Sequence, residues 1–146
     1  MTGSRVTDRL VVVGCSRRKR TTAARLPALD LYEGGCVPAL RARLGDRPEL
    51  RARVRVLSAE YGLVRADDLL RPYDRRLDAA RAARLRISAA ASLADEQAVR
   101  EVLVAAEPLY LYLIADLLAT GPRVWWTPEP RDADYVNAVL DEWKWP

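Results

Sequence analysis

Residues 9–14, Arg-Leu-Val-Val-Val-Gly, form the stretch that decides the fold. A short block of β-branched residues that ends in glycine is typical of a buried strand. Three further short apolar blocks follow along the chain, and each of them also predicts a strand. They lie at residues 54–58 (VRVLS), 101–106 (EVLVAA) and 123–127 (RVWWT).

The segments between these blocks favour helices. Proline suits the first turn of a helix, and alanine-rich stretches have high helix propensity. The predicted helical regions are 23–44, 77–93, 108–119 and 132–143. The first region is interrupted by Gly34-Gly35, and a new helix is predicted to start near Pro38. Residues 60–73 are predicted to form a loop with a tight turn at Gly62. Alternating strands and helices predict an α/β fold, a Rossmann-like three-layer sandwich with a mainly parallel sheet of about four strands. A length of 146 residues suits one domain, residues 1–146.

Composition excludes several kinds of chemistry. The chain has no histidine and only two cysteines. Histidine-based triads are therefore excluded, as are the usual zinc sites, and we expect neither a metal nor a cofactor. No apolar run approaches the length of a membrane helix, and the first residues do not resemble a secretion signal. We therefore expect a soluble cytoplasmic protein without a membrane partner.

Charge is distributed unevenly. The first 56 residues carry 13 basic and 5 acidic residues, whereas the remainder carries 11 basic and 15 acidic residues. A basic first third favours an anionic partner, either a phosphate-bearing small molecule or a nucleic acid.

The four strand ends are expected to meet at one edge of the sheet, where ligands bind in open parallel sheets. Gly14-Cys15-Ser16-x-x-Lys19 follows the first strand, and its backbone N–H groups, Arg17 and the start of the next helix would hold an anion. Cys15 is the strongest nucleophile available, since nearby cations stabilise a thiolate. The alternative is a solvated basic turn in which Cys15 only lines the pocket.

A second cluster follows the second strand. Ser58 and Ala59 are small enough to let a ligand approach, and Tyr61 or Tyr73 would stack on a base. Asp74 would hold hydroxyl groups. The alternative is a turn in which Tyr61 covers the core. The candidate acids and bases are Glu60, Glu107 and Glu129, each of which could instead be a helix cap or a surface carboxylate.

Four tryptophans, Trp125, Trp126, Trp143 and Trp145, are interpreted mainly as core residues or as contacts in a homodimer. A separate hypothesis is that the last four residues dock on a partner protein.

Several motifs together resemble a family of small bacterial and phage proteins that is largely a domain of unknown function. The resemblance covers about residues 9–78. It rests on Val13-Gly-Cys-Ser-Arg-Arg-Lys19, Leu29-Asp-Leu-Tyr32, Leu57-Ser-Ala-Glu-Tyr-Gly-Leu-Val64 and Pro72-Tyr-Asp74. This resemblance implies that Cys15, Ser16 and Lys19 form the first loop of a site whose walls are Tyr32, Ser58, Tyr61, Gly62 and Asp74.

The Cys-Ser-x-x-Lys stretch is also similar to a Cys-Ser-x-x-Lys-Pro-Tyr segment of archaeosine synthases, which modify a deazaguanine in tRNA. Arg20 and Thr21 stand here in place of that Pro-Tyr. The similarity implies a ligand related to a nucleobase.

Besides docking of the last four residues on a partner, these observations lead to one leading hypothesis and two alternatives. The chain is interpreted as an enzyme that hydrolyses or transfers at the N-glycosidic bond of a nucleotide or modified nucleoside, using Glu60, Asp74, Glu107 or Glu129. The first alternative is covalent attack by Cys15 on an electrophilic base of deazapurine type. The second is a non-catalytic module that binds a nucleotide or a nucleic acid.

Overall fold

The computed structural model describes residues 6–96 and 98–146. Strands and helices alternate along the chain. The strands are β1 (Arg9–Gly14), β2 (Leu26–Pro27), β3 (Val54–Ser58), β4 (Gly62–Arg65), β5 (Leu69–Leu70), β6 (Glu101–Ala105) and β7 (Arg123–Thr127). The helices are α1 (Ala28–Leu31), α2 (Val37–Leu44), α3 (Pro48–Arg51), α4 (Ala79–Ser92), α5 (Pro108–Leu111), α6 (Ala115–Leu118) and α7 (Ala133–Glu142), with 3-10 turns at Val6–Asp8 and Tyr112–Ile114.

Five strands form a mixed, mostly parallel sheet in the order β4-β3-β1-β6-β7. β1 runs parallel to both β3 and β6, and β6 runs parallel to β7. β4 is the one antiparallel member, paired with β3. The four strands predicted from the sequence are therefore confirmed, and the mixed α/β class is confirmed with them.

The predicted loop at 60–73 is wrong in part, because it contains β4 and β5. Gly62 has a φ of +79°, which lets the chain reverse directly after β3. The Ser58 hydroxyl accepts hydrogen bonds from the N–H groups of Glu60 (3.2 Å) and Tyr61 (2.9 Å) and so holds this turn. β5 pairs separately with β2 in a two-stranded ladder.

The predicted helix at 108–119 is also interrupted. It divides into α5, a 3-10 turn and α6, and Leu113 and Ile114 are both buried at the turn, in the same core cluster as residues of α4. Packing against α4 therefore overrides the regular helical period in this segment. The predicted helices at 77–93 and 132–143 correspond to α4 and α7, and the helix predicted to start near Pro38 is α2.

Both faces of the sheet are covered by apolar side chains. Val11 and Val13 pack with residues of α1, α2 and α7 on one face. Leu10 and Val12 pack on the other face with residues of α4 and of the segment 113–118. No helix in the described part of the chain is long and apolar enough to cross a membrane.

A partly buried ionic cluster lies at the sheet end opposite to Ser58. Arg55 is only 3% exposed, and its guanidinium donates to Glu96 at 2.7 Å. Arg53 donates to the same carboxylate at 3.0 Å. Burial lowers the pKa of Arg55, although the charge of Glu96 opposes that effect.

We expect Glu96→Gln to destabilise the protein by about 3 kcal/mol, because it leaves the buried Arg55 charge uncompensated. The measurement is the urea midpoint at unchanged m-value. Asp116→Asn is the control, since it breaks the exposed Arg86–Asp116 pair and should change stability by less than about 1 kcal/mol. Equal effects of the two substitutions would contradict a structural role for the buried cluster.

Candidate functional site

A cavity of about 400 Å³ opens at the carboxyl ends of β1 and β6. From β1 the chain crosses to β3 on one side, and it later returns to β6 on the other side. Ligands of open parallel sheets bind in the crevice at such a reversal. The lining comes from four segments: residues 14–17 with Lys19, residues 74–77, Glu107 with Leu109 and Tyr110, and Pro130.

Cys15 presents a free, half-buried thiol to this cavity. Its backbone N–H donates to the carbonyl of Leu57 at 2.9 Å, so the thiol is held at the end of β1. The Sγ atom lies 3.4 Å from the hydroxyl oxygen of Tyr110. Burial, and then the neighbouring thiol, raise the pKa of Tyr110, which keeps its hydroxyl protonated.

Ser16 organises its own loop. Its hydroxyl donates to the carbonyl of Arg18 (2.7 Å) and accepts from the N–H of Gly34 (3.1 Å). A Cβ on Gly34 would lie 2.9 Å from the Cβ of Ser16, so glycine is needed for this close approach. Both hydrogen-bonding functions of the Ser16 hydroxyl are therefore used within the protein.

The helical region predicted from residue 23 begins only at Ala28, so no helix follows this loop directly. Lys19 forms an isolated antiparallel bridge with Tyr32, and the N–H of Arg20 donates to the carbonyl of Leu31 at 2.9 Å. The chain runs in extended form beside residues 31–33, because these backbone bonds replace the bonds of a helical first turn. A helix dipole therefore does not contribute to anion binding at this loop.

Lys19 lies over an aromatic wall. Its Nζ is 4.2 Å from the ring centre of Tyr73 and 5.8 Å from that of Tyr32, and it donates to the carbonyl of Arg17 at 3.3 Å. Burial lowers the pKa of Lys19, whereas the charges of Cys15 and Asp74 oppose that effect. The amine is thus a partly desolvated cation at the cavity.

Tyr73 anchors the loop that carries Asp74 into the cavity. Its hydroxyl accepts a hydrogen bond from Ser58 (2.8 Å) and lies 2.7 Å from the hydroxyl of Tyr32. Burial raises the pKa of Tyr32 to about 12 and also raises that of Tyr73. Tyr32, Ser58 and Tyr73 therefore form a protonated hydroxyl chain behind Lys19 and do not line the cavity.

The four candidate carboxylates divide into two groups. Asp74 and Glu107 line the cavity and are exposed to it. Glu60 instead forms ion pairs with Arg75 and Arg81. Glu129 pairs with Arg131 at 3.1 Å, and this contact lowers its pKa. Neither Glu60 nor Glu129 lines the cavity.

The remaining predicted wall residues shape the hairpin after β3. Ala59 is buried and its carbonyl accepts from Arg81, and Gly62 makes the turn. Tyr61 is 41% exposed and meets the Tyr73 ring edge-on, with 5.5 Å between the ring centres.

Sequence reasoning missed Arg75, Arg76 and Tyr110, all three of which line the cavity. Tyr110 follows a predicted strand by a few residues, so the rule of strand ends could have identified it. Within the described residues, no three Cys, Asp or Glu side chains form a cluster that could hold a metal ion.

We expect Tyr73→Phe to lower the free energy of unfolding by about 1–2 kcal/mol, because the hydroxyls of Ser58 and Tyr32 lose a buried partner. Denaturant unfolding measures the change. Tyr135→Phe is the control, since no side-chain hydrogen bond to the Tyr135 hydroxyl occurs in the described residues. No difference between the two variants would refute the anchoring role.

Lys19 and Lys144 are the only lysines in the chain, so competitive acetylation followed by mass spectrometry can follow both at once. We expect the pH midpoint of Lys19 labelling to lie below the ordinary value for lysine, since burial disfavours the ammonium form. Asp74→Asn should lower this midpoint further, because the carboxylate stabilises the charged amine. Asp134→Asn, on α7, should leave it unchanged. An upward shift in Asp74→Asn would show that the two groups do not interact as described.

Comparison with known proteins identifies a family but no described relative. No curated protein and no solved structure matches the chain. A family model described as a family of unknown function, DUF6884, matches residues 10–124. The matched region contains Cys15, Lys19, Asp74 and Glu107. The chain therefore belongs to the DUF6884 family of unknown function.

Proposed function

We propose that the protein is an enzyme that acts on a nucleotide, or on a nucleoside of a modified base, bound in the cavity at the ends of β1 and β6. The observation that carries this proposal is the lining of one cavity by a thiol, two carboxylates and three cations that form no ion pair, besides Arg75, which is paired with Glu60. These groups are Cys15, Arg17, Lys19, Arg76, Asp74 and Glu107. The proposal includes a Rossmann-like three-layer arrangement of the fold.

The cavity suits a ligand of this size and charge. A volume of about 400 Å³ lies in the range of small-molecule sites. Arg17, Lys19 and Arg76 carry no ion pair within the described residues, so their charges are available to a phosphate. Leu77, Leu109 and Tyr110 supply the apolar part of the lining, which would receive the base.

Cleavage or transfer at the N-glycosidic bond is the reaction proposed first. Asp74 and Glu107 are the carboxylates that the cavity brings together. One carboxylate would take a proton from the attacking water or acceptor hydroxyl while the bond between C1′ of the sugar and the base breaks, and the departing base would take up a proton from solvent. The negative charge of the other carboxylate would stabilise the oxocarbenium character of the sugar. Glu60 and Glu129 are not assigned to this step, because neither lines the cavity and each is paired with an arginine.

A thiol route is the second candidate, and the contact between Cys15 and Tyr110 favours it. The Sγ atom would bond to an electrophilic carbon of the base, and the Tyr110 hydroxyl, 3.4 Å from the sulfur, would protonate the adjacent nitrogen. The thiol proton would return to Tyr110 through solvent. The similarity of residues 15–19 to archaeosine synthases supports a base of the deazapurine type.

A thermal-shift screen of nucleobases, nucleosides and 5′-nucleotides tests the ligand class. A ligand that binds only the folded state at 100 times its Kd stabilises by about 2.7 kcal/mol, which such a screen detects. We expect 5′-nucleotides to stabilise the protein and Lys19→Ala to lose this effect. Lys144→Ala, which removes the other lysine, should keep it. No shift with any compound would overturn the proposal.

Turnover of the ligand found in this way, followed by mass spectrometry, separates the two routes. The carboxylate route predicts that Glu107→Gln or Asp74→Asn lowers kcat by about 10²-fold or more, while Cys15→Ala retains activity. The thiol route predicts the opposite pattern. Glu129→Gln is the matched control, because its carboxylate follows a neighbouring strand but lies outside the cavity.

A further inference from the structure

About half of the arginines in the described part of the chain form ion pairs with carboxylates. The paired arginines come from strands and helices alike and include Arg9, Arg43, Arg53, Arg55 and Arg86. Apart from Arg18, whose charge acts on Glu33, four exposed arginines on two neighbouring loops make neither an ion pair nor a side-chain hydrogen bond within residues 6–96 and 98–146. They are Arg17, Arg25, Arg71 and Arg76, and we call them the cationic strip.

Two members of the cationic strip lie at the same end of the two-stranded ladder. β2 and β5 pair antiparallel with Leu26 opposite Leu70, so the residues that extend this ladder by one position are Arg25 and Arg71. Like charges on neighbouring strands repel each other. An anion bound between them would relieve this repulsion.

The cationic strip is continuous with the cavity. Arg17 and Arg76 line the cavity itself. Arg71 is three residues before Asp74, another lining residue, and three residues cannot span more than about 11 Å. Phosphates of one nucleic-acid strand recur about every 3.4 Å along a helix axis, so a few nucleotides cover this distance.

An exposed aromatic ring lies beside the strip. The Tyr61 hydroxyl donates to the carbonyl of Arg71 at 3.4 Å, and the ring packs edge-on against Tyr73. This arrangement leaves Tyr61 41% exposed beside the loop that carries Arg71. Aromatic rings beside a basic track are the platforms on which single-stranded bases stack.

We propose that the nucleotide bound in the cavity belongs to a single-stranded polynucleotide segment, whose backbone phosphates lie along the cationic strip and whose flanking base stacks on Tyr61. This inference rests on the proposed function and specifies its substrate class. RNA and DNA share the phosphodiester chemistry that the strip recognises.

Fluorescence anisotropy with labelled single strands of about 12 nucleotides, in RNA and DNA forms, tests the inference. Contact with four phosphates predicts that log K falls with log salt with a slope of about −3. Arg25→Ala/Arg71→Ala should reduce the magnitude of the slope by about 1.4, which corresponds to roughly 25-fold weaker binding at 0.1 M salt. Tyr61→Ala should weaken binding without changing the slope.

Arg65→Ala/Arg84→Ala is the matched control. It removes the same charge from β4 and α4, where Arg65 and Arg84 are exposed and carry no ion pair in the described residues. We expect this double variant to bind the strands like the unmodified protein. Equal losses in the two double variants would overturn the inference, because they would show a response to net charge alone.

Free 5′-nucleotides distinguish failure of this inference from failure of the proposed function. The Arg25→Ala/Arg71→Ala variant should keep the thermal shift caused by a mononucleotide, since neither residue lines the cavity. Mononucleotide binding without tighter binding of strands would overturn the inference and leave the proposed function intact. Absence of mononucleotide binding and of strand binding would overturn the inference and the proposed function together. Preferential binding to phosphatidylserine vesicles would overturn the inference and assign the cationic strip to a membrane instead.

Discussion

The pairing of β1 with β3 on one side and β6 on the other is the constraint on which the rest of the molecule depends. Residues 10–13 of β1 are fully buried, so this strand occupies the centre of the sheet. The chain must then leave β1 in one direction and return on the opposite side. The crevice at this reversal places Cys15 and Glu107 beside the same cavity, although they are far apart in sequence.

The hydroxyl group of Tyr73 imposes the second constraint. The loop before α4 reaches the cavity because Tyr73 is bonded to Ser58 at the end of β3 and lies against Tyr32 after α1. The same ring lies under the Lys19 ammonium. A single aromatic residue therefore connects three segments, and it holds a cation by its ring face while Asp74 remains free to face the cavity.

Arginine has two roles in this protein. Around Glu96, at one end of the sheet, arginines neutralise a partly buried carboxylate and stabilise the fold. Around the cavity, at the other end, unpaired arginines leave a positive field that a ligand would have to neutralise. The strongly basic first third of the chain thus combines residues of both kinds. The two kinds of arginine can be told apart only by whether a carboxylate lies beside them in the folded protein.

The sequence by itself determined the strands of the parallel sheet, the helices α2, α4 and α7, and the placement of residues 14–19 and Glu107 at strand ends. These features depend on local periodicity and on the direction of parallel strands, both of which are encoded over short distances. The tertiary structure alone decided that the chain after Cys15 is extended, that Glu60 and Glu129 are paired with arginine, and that Arg76 lines the cavity. It also decided the position of Tyr73, whose hydroxyl partners are 41 and 15 residues away along the chain. Such contacts depend on how separate segments pack, and no local pattern in the chain specifies them.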